Sequence, residues 1–188
     1  MADGEPNMQR VRHEIPSAYR DMTIDQLAER QVVRYGELEP DWDAFADSQI
    51  EGRRRAQYRL IGVGGSGKPD PHALPAGGFT LSMLIVPPGQ GGSAHTHEVE
   101  EAFVVLEGEL TVFFQDETGR QAGNTLGQYE VALCPAGIPH GFVNEGEKDA
   151  LIQIMIGSGE PGPIGFVDDD IYREEVDRLT SRGRMAAE

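Results

Sequence analysis

The chain has 188 residues, which is long enough for one domain with a hydrophobic core and too short for two ordinary domains. It carries 32 acidic residues against 16 basic ones, so its formal charge of −16 repels a phosphate backbone and argues against nucleic acid as a partner. The single cysteine, Cys134, excludes an intrachain disulfide and fits a reducing compartment.

The sequence also argues against a membrane protein. No apolar run approaches the roughly 20 residues that are needed to span a bilayer. Residues 1–22 are polar and show no hydrophobic core of a signal peptide, so we predict a cytoplasmic protein. The 24 glycines and 12 prolines are typical of many turns between short strands.

Residues 1–60 are predicted to form an N-terminal extension with short helices. About the first 20 residues lack any hydrophobic period, and we expect a mobile arm there. Thr23 and Gln26 have the spacing of a capping box, which predicts a short helix that begins beside them. The segment from Asp41 to Ile50 offers a second helical turn. Such an extension packs either across a barrel or onto a partner subunit.

A cluster of three positive charges, Arg53–Arg55, lies just before a predicted strand from Tyr58 to Val63. One interpretation is a solvated strand start that faces acidic residues of its own chain. The other is a rim that attracts an anionic substrate.

Residues 61–78 are predicted to be a Gly/Pro-rich loop. Gly62 to Lys68 matches both G-x-G-x-x-G and G-x4-G-K, two patterns that hold phosphate at the start of a helix. Here Pro69 and Pro71 follow directly, and no helix of useful length can grow from that composition. We therefore reject a nucleotide-binding function for this segment.

From residue 79 onward the sequence favours β-structure, and residues 79–160 are predicted to be the core of a closed antiparallel barrel or jelly roll. The predicted strands are Phe79–Val86, Ala102–Leu106, Leu110–Gln115, Gln128–Leu133, Gly141–Val143 and Ala150–Ile156. Residues 161–188 predict an acidic C-terminal helix that Asp168–Asp170 can cap, with a frayed tail from Ser181.

Three of the five histidines fall into two spaced blocks. These blocks read Gly89-x5-His95-x-His97-x3-Glu101-x6-Gly108 and Pro135-x-Gly137-x2-His140-x3-Asn144. Residues two apart in a strand point to the same face, so the first two histidines can both project into a barrel.

The two blocks resemble the paired motifs of the cupin superfamily, small β-barrels that usually hold one metal ion. The resemblance is strong over residues 79–157. It implies an all-β, cupin-type double-stranded β-helix with short helical extensions, and it implies the metal ligands His95, His97, Glu101 and His140. One departure is Tyr129, which stands where the second block normally begins with glycine.

This ligand set can support catalysis. Three neutral imidazoles and one carboxylate leave a divalent ion with a charge of roughly +1 and, in six-coordinate geometry, two open positions. Phe103 shares strand parity with Glu101. Four further side chains lie in strands that could line the barrel, and all five are predicted to form the substrate pocket: Met83, Phe103, Phe113, Phe142 and Met155.

The first functional hypothesis is a non-haem Fe(II) dioxygenase that acts on a small aromatic or carbonyl-bearing substrate, with Glu101 as a proton acceptor. The second is an isomerase, decarboxylase or lyase that uses manganese, nickel or zinc, since imidazole suits several ions. The third is a metal-dependent small-molecule-binding protein without catalysis. We also predict a homodimer, because an uncovered sheet edge favours self-association.

Overall fold

The computed structural model describes residues 13–185, and of residues 182–185 it describes the backbone only. The chain divides into two compact units, residues 1–32 and 33–188. The first twelve residues of the predicted mobile arm lie outside the described residues. None of the described helices combines the length and the apolar character needed to cross a membrane.

The N-terminal unit contains a 3-10 helix, Ser17–Tyr19, and the helix α1, Ile24–Arg30. The predicted capping box at the start of α1 is confirmed. The Thr23 hydroxyl oxygen accepts a hydrogen bond from the backbone N–H of Gln26 (3.2 Å), and the Gln26 side-chain oxygen accepts one from the backbone N–H of Thr23 (2.9 Å). Both N–H groups at the helix start are thereby satisfied.

The second unit is built from ten strands in two antiparallel sheets of five strands each. The strands are β1 Ala56–Ile61, β2 Thr80–Val86, β3 Gly91–Thr96, β4 Glu101–Glu107, β5 Leu110–Gln115, β6 Gln121–Leu126, β7 Val131–Cys134, β8 His140–Val143, β9 Ala150–Ile156 and β10 Gly165–Phe166. Sheet A has the strand order β1-β2-β9-β4-β7, and sheet B has the order β10-β3-β8-β5-β6. The predicted all-β jelly roll is confirmed.

The strand boundaries differ from the prediction in several places, most clearly at β1, β3 and β6. Strand β1 begins and ends two residues before the predicted Tyr58–Val63. Strands β3 and β6 were not among the predicted strands, because Gly91–Thr96 and Gln121–Leu126 are poor in the apolar and β-branched residues that mark a strand. The pairing of β3 with β8 and of β6 with β5 decides their conformation instead.

The C-terminal helix α2 spans Asp169–Met185. The carboxylate of Asp168 accepts hydrogen bonds from the backbone N–H groups of Asp170 (3.0 Å) and Ile171 (3.1 Å), as predicted for a helix cap. The predicted fraying from Ser181 is wrong for residues 181–185, which continue the helix. Three of the last four residues of α2 are arginine or methionine, which are good helix formers.

Alternate residues of three sheet A strands contribute to the barrel core. In β2, β4 and β9, buried positions alternate with more exposed ones, which is the pattern of strands with one face in a core. A second, smaller apolar cluster of Leu38, Ala56 and Tyr58 packs with Met83 and Ile85. These two residues of β2 face away from the barrel interior, so sheet A is apolar on both faces in this region.

Candidate metal centre

The four predicted ligands lie together at one end of the barrel. In sheet B, His95 near the end of β3 pairs directly with His140, the first residue of β8. His97 follows one residue after the end of β3. Glu101 is the first residue of β4 in sheet A, so the site joins the two sheets. All four side chains are buried.

The three imidazoles converge on one carboxylate oxygen. Oε2 of Glu101 lies 2.8 Å from Nε2 of His140, 3.6 Å from Nε2 of His95 and 3.6 Å from Nε2 of His97. One donor atom from each of the four residues lies within 4.8 Å of all the others. The structure thus brings together residues that are separated by up to 45 positions in the chain.

Backbone carbonyls hold two of the rings in a ligand orientation. Nδ1 of His95 lies 2.8 Å from the carbonyl oxygen of Ser93, and Nδ1 of His140 lies 2.8 Å from that of Ile138. A carbonyl can only accept, so Nδ1 carries the proton in both rings. When such a ring is neutral, its Nε2 lone pair is directed into the site, which is the arrangement that metal-binding histidines use.

The ionisation of the metal-free site follows from burial and close contact. Burial lowers the pKa of His97 to about 4, although the Glu101 carboxylate acts in the opposite direction. Burial alone would also lower the pKa of His140, but contacts with the Cys134 thiol and with Glu101 raise it to about 10. Burial would raise the pKa of Glu101, yet the neighbouring histidines hold it well below its ordinary value.

The donor set fits a divalent transition metal. Donors that bind one ion at about 2.0–2.2 Å lie at most about 4.4 Å apart, only slightly less than the 4.8 Å limit found here. Imidazole nitrogen and carboxylate oxygen suit iron, manganese, nickel, copper and zinc alike, so the residues indicate the class of ion and leave its identity open.

A small, mostly apolar cavity is lined by three of the four predicted ligands, His95, His97 and Glu101. Its volume is about 20 Å³, which is room for one water molecule. The lining residues are Phe45, Arg55, Gln57, Gly65, Leu84, His95, His97, Glu101, Phe142, Ile154, Ile164 and Phe166. Glu101 is the one carboxylate among these described lining residues. A substrate larger than a few atoms therefore requires part of this wall to move.

Of the five predicted pocket residues, only Phe142 lines the cavity. Phe103 is fully buried beside it, with its ring centroid 5.3 Å from that of Phe142 and 6.2 Å from that of His140. The prediction is wrong for Met83, Phe113 and Met155, because each has the opposite strand parity to the inward residues of β2, β5 and β9.

Sequence reasoning missed most of the cavity wall. Arg55 and Gln57 have the same parity on and beside β1, and both are almost fully buried. Phe45 reaches the cavity from the segment before β1, which was predicted only as a helical turn. The alternation of polar and apolar residues from Arg55 to Leu60 was the available signal, with its polar members facing inward.

The arginine cluster has three different environments. Arg54 lies over the ring of Trp42, with its guanidinium carbon 5.0 Å from the ring centroid, and Arg53 donates a hydrogen bond to the Ser93 hydroxyl (3.0 Å). Arg55 is only 3% exposed and forms an ion pair with the fully buried Asp47 (2.9 Å). A solvated strand start is therefore the wrong interpretation for Arg55.

One residue of the glycine-rich loop, Gly65, lines the cavity, and no helix follows the loop in the described residues 62–79. The predicted absence of a helix directly after this loop is thus confirmed, and rejection of the phosphate-binding patterns stays a prediction. Gly64 has a φ of +61°, and a Cβ there would lie 2.3 Å from Nε2 of Gln57 and 2.4 Å from the Ser82 hydroxyl oxygen. Only glycine allows the backbone to approach these two side chains so closely.

Comparison with known proteins supports the resemblance to cupins. The family model described as a cupin domain matches residues 82–157, the stretch that contains all four ligands. Residues 82–157 are therefore a cupin domain. It is 33% identical over 95 residues to germin-like protein subfamily 1 member 7 of Arabidopsis thaliana, across 48% of this chain and 42% of that protein.

A second relative is germin-like protein subfamily 3 member 3 of Arabidopsis thaliana, which is 28% identical over 108 residues, or 55% of this chain and 51% of that protein. The chain thus spans about half the length of these relatives. Among solved structures, polyketide cyclase RemF from Streptomyces resistomycificus aligns with a TM-score of 0.55 at 24% identity, across 75% of this chain and 89% of that one. This likeness supports the fold.

Proposed function

We propose that the protein is a metal-dependent enzyme that acts on a small organic molecule. The observation that carries this proposal is the convergence of three histidine Nε2 atoms on the Glu101 carboxylate in a buried, mostly apolar cavity. A divalent ion bound there would supply Lewis acidity and open coordination positions for reactants.

The residues of the chain have distinct roles in this proposal. His95 and His140 are held in the ligand tautomer by their Nδ1 contacts to backbone carbonyls. Glu101 supplies the negative charge of the ligand set and, as the carboxylate in the cavity wall, is the proposed proton acceptor. The apolar walls, with Phe142 among them, exclude bulk water and strengthen electrostatic interactions inside.

The finer proposal is an Fe(II) dioxygenase. A ligand set of three imidazoles and one carboxylate leaves two positions for substrate and oxygen in six-coordinate geometry. Turnover of a substrate should then consume oxygen and stop under anaerobic conditions. An undiminished anaerobic rate would exclude the dioxygenase and favour the isomerase, decarboxylase or lyase alternative with manganese, nickel or zinc.

Elemental analysis of protein purified anaerobically without chelators tests the metal centre. We expect about one metal ion per chain, and loss of that ion in His140→Ala, which removes one of the four ligands. The matched control is His72→Ala, which removes an exposed histidine from the glycine-rich loop and should retain the metal. Iron in the parent supports the dioxygenase, and absence of metal from both parent and control refutes the proposed enzyme.

We further propose that a second copy of the chain covers the outer face of sheet A. Strand β7 is an edge of that sheet, and Val131 and Leu133 on it are 59% and 55% exposed. Leu133 and Met155, which is 44% exposed, both pair with Ala102 from opposite sides. This row of apolar side chains across β7, β4 and β9 is suited to an interface between identical subunits.

Light scattering tests the dimer. The parent should have twice the monomer mass of 20.5 kDa, whereas Leu133→Glu should shift the mass towards the monomer, because it places a charge in the apolar row. Val167→Glu is the control, since Val167 is also exposed (45%) but lies outside sheet A. A parent mass of 20.5 kDa at all protein concentrations would contradict the proposal.

A further inference from the structure

The cavity beside the metal centre contains a buried arginine with free hydrogen-bonding capacity. Nη1 of Arg55 contacts the Asp47 carboxylate (2.9 Å), the carbonyl oxygen of Arg53 (2.9 Å) and that of Gly91 (3.0 Å). The buried Nε has no acceptor among the residues that the structure describes. A guanidinium carries five N–H donors, so crowding three acceptors around one nitrogen leaves the opposite edge available.

Arg55 is itself one of the residues that line the cavity. Arg55 lines the cavity together with His95, His97 and Glu101, and it is 3% exposed. Its guanidinium lies over the ring of Phe45, with 4.1 Å between the guanidinium carbon and the ring centroid. An unsatisfied buried N–H is unfavourable, and a ligand that accepts its hydrogen bond removes that penalty.

The position of Arg55 next to the predicted metal ligands favours binding of a negatively charged ligand in the cavity. A divalent ion, Glu101, Arg55 and Asp47 together leave one net positive charge in a mostly apolar enclosure. The Nε edge of arginine is shaped to bind both oxygens of a carboxylate in parallel hydrogen bonds. The small cavity further favours a ligand of few atoms.

We propose that Arg55 binds the carboxylate of a small anionic substrate beside the metal centre. This inference rests on the proposed function, since it assigns the substrate class of the same site. Arg55 is here a substrate-binding residue, and its ion pair with Asp47 holds the guanidinium with its Nε edge free.

A second arginine provides a matched control. Arg59 lies on β1 with the same parity as Arg55, which directly precedes that strand. Arg59 is also 3% exposed, is also paired with an aspartate (Asp41, 2.9 Å), and also has a buried Nε without an acceptor among the described residues. It does not line the cavity, because its guanidinium points to Asp41 and Ser66. The two arginines are therefore alike in burial and in pairing with an aspartate, and they differ in that Arg55 alone of the two lines the cavity.

The test measures binding of acetate, and of acetamide as its uncharged isostere, by isothermal titration calorimetry with metal-loaded protein. We expect acetate to bind at least about tenfold more tightly than acetamide, and Arg55→Lys to weaken acetate binding by about tenfold or more. Arg59→Lys should leave the dissociation constant within about twofold of the parent. Metal content is measured in every sample, so a loss of metal is distinguished from a loss of anion binding.

A double variant, Arg55→Met with Asp47→Leu, protects the test against misfolding, because it leaves no unpaired charge in the core. It should lose the preference for acetate over acetamide. The inference is overturned if acetate binds no better than acetamide to the parent, or if the Arg55 and Arg59 variants behave alike. If the parent carries no metal, the enzyme proposal fails separately, and the same ranking of variants is expected in the metal-free protein.

Discussion

Replacing Asn144 with alanine tests whether the last residue of the second motif supports the fold or the metal centre. Asn144 is fully buried, and its side-chain N–H groups donate to the carbonyl oxygens of Val86 (2.7 Å) and Lys148 (2.8 Å). Its side-chain oxygen accepts from the backbone N–H of Gly146 (2.9 Å). These bonds tie the end of β2 to the loop after β8, so we expect a structural role.

The size of the destabilisation follows from the hydrogen-bonding groups that lose their partner in Asn144→Ala. Val86 is 0% exposed, so its carbonyl oxygen would lose the Asn144 donor in a place that water does not reach, which destabilises by about 1–3 kcal/mol. The bonds to Lys148 and Gly146 can be replaced by water more readily, and losing them destabilises by roughly 0.5–1.5 kcal/mol each. We therefore expect Asn144→Ala to lower the free energy of unfolding by about 2–6 kcal/mol.

Urea unfolding of the metal-free protein, with a chelator present, measures this change without the contribution of metal binding. Asn124→Ala is the control, because Asn124 is exposed on β6, and its effect should stay within about 0.5 kcal/mol. Asn144→Asp should be at least as destabilising as alanine, since it retains the acceptor but turns a carboxylate towards two carbonyl oxygens.

Two results would refute this reasoning. Asn144→Ala could unfold at the same urea concentration as the parent, in which case the three hydrogen bonds do not support the fold. Alternatively, the variant could keep its stability and lose its metal, which would show that Asn144 serves the metal centre and not the connection between β2 and the loop.

Three further predictions concern backbone strain, steric fit and pH. Tyr129 has a φ of +67°, so Tyr129→Gly should be more stable than Tyr129→Ala by about 1 kcal/mol in urea unfolding, and equal stabilities would exclude strain there. Gly64→Ala should destabilise by about 2–4 kcal/mol, against about 1 kcal/mol for Gly119→Ala, because both have positive φ but only the first Cβ meets other atoms within 4 Å. The free energy of unfolding of the metal-free protein should be largest near neutral pH. The raised pKa of His140 makes it fall as the pH rises from about 6.5 towards 10. The lowered pKa of His97 makes it fall as the pH drops from about 6.5 towards 4. Chemical unfolding across that range that shows no such maximum would contradict these assignments.

The ligand set could be predicted because its signal is local spacing within two short blocks. His95 and His97 are two residues apart, Glu101 follows four later, and the Pro-Gly turn before His140 marks a strand start. The resemblance to cupins then joined the two blocks. The departure at Tyr129 was also visible in the sequence, and the structure shows its consequence, a positive φ at a residue with a side chain.

The sequence alone determined the fold class and the strands richest in β-formers, because these depend on composition and short-range spacing. The resemblance of its two blocks to the cupin motifs implied the four residues of the candidate metal centre. Only the tertiary structure decided which face of each strand looks inward. Met83 and Met155 both lie on the outer face of sheet A, where their neighbours are apolar as well. At β1 and β2 this face packs against the second apolar cluster, and at β9 and β7 it exposes apolar residues. Without alternation between polar and apolar positions, strand parity cannot be read from the chain. Arg55 shows the converse: a charged residue reached the interior because Asp47, brought there by the fold, compensates its charge.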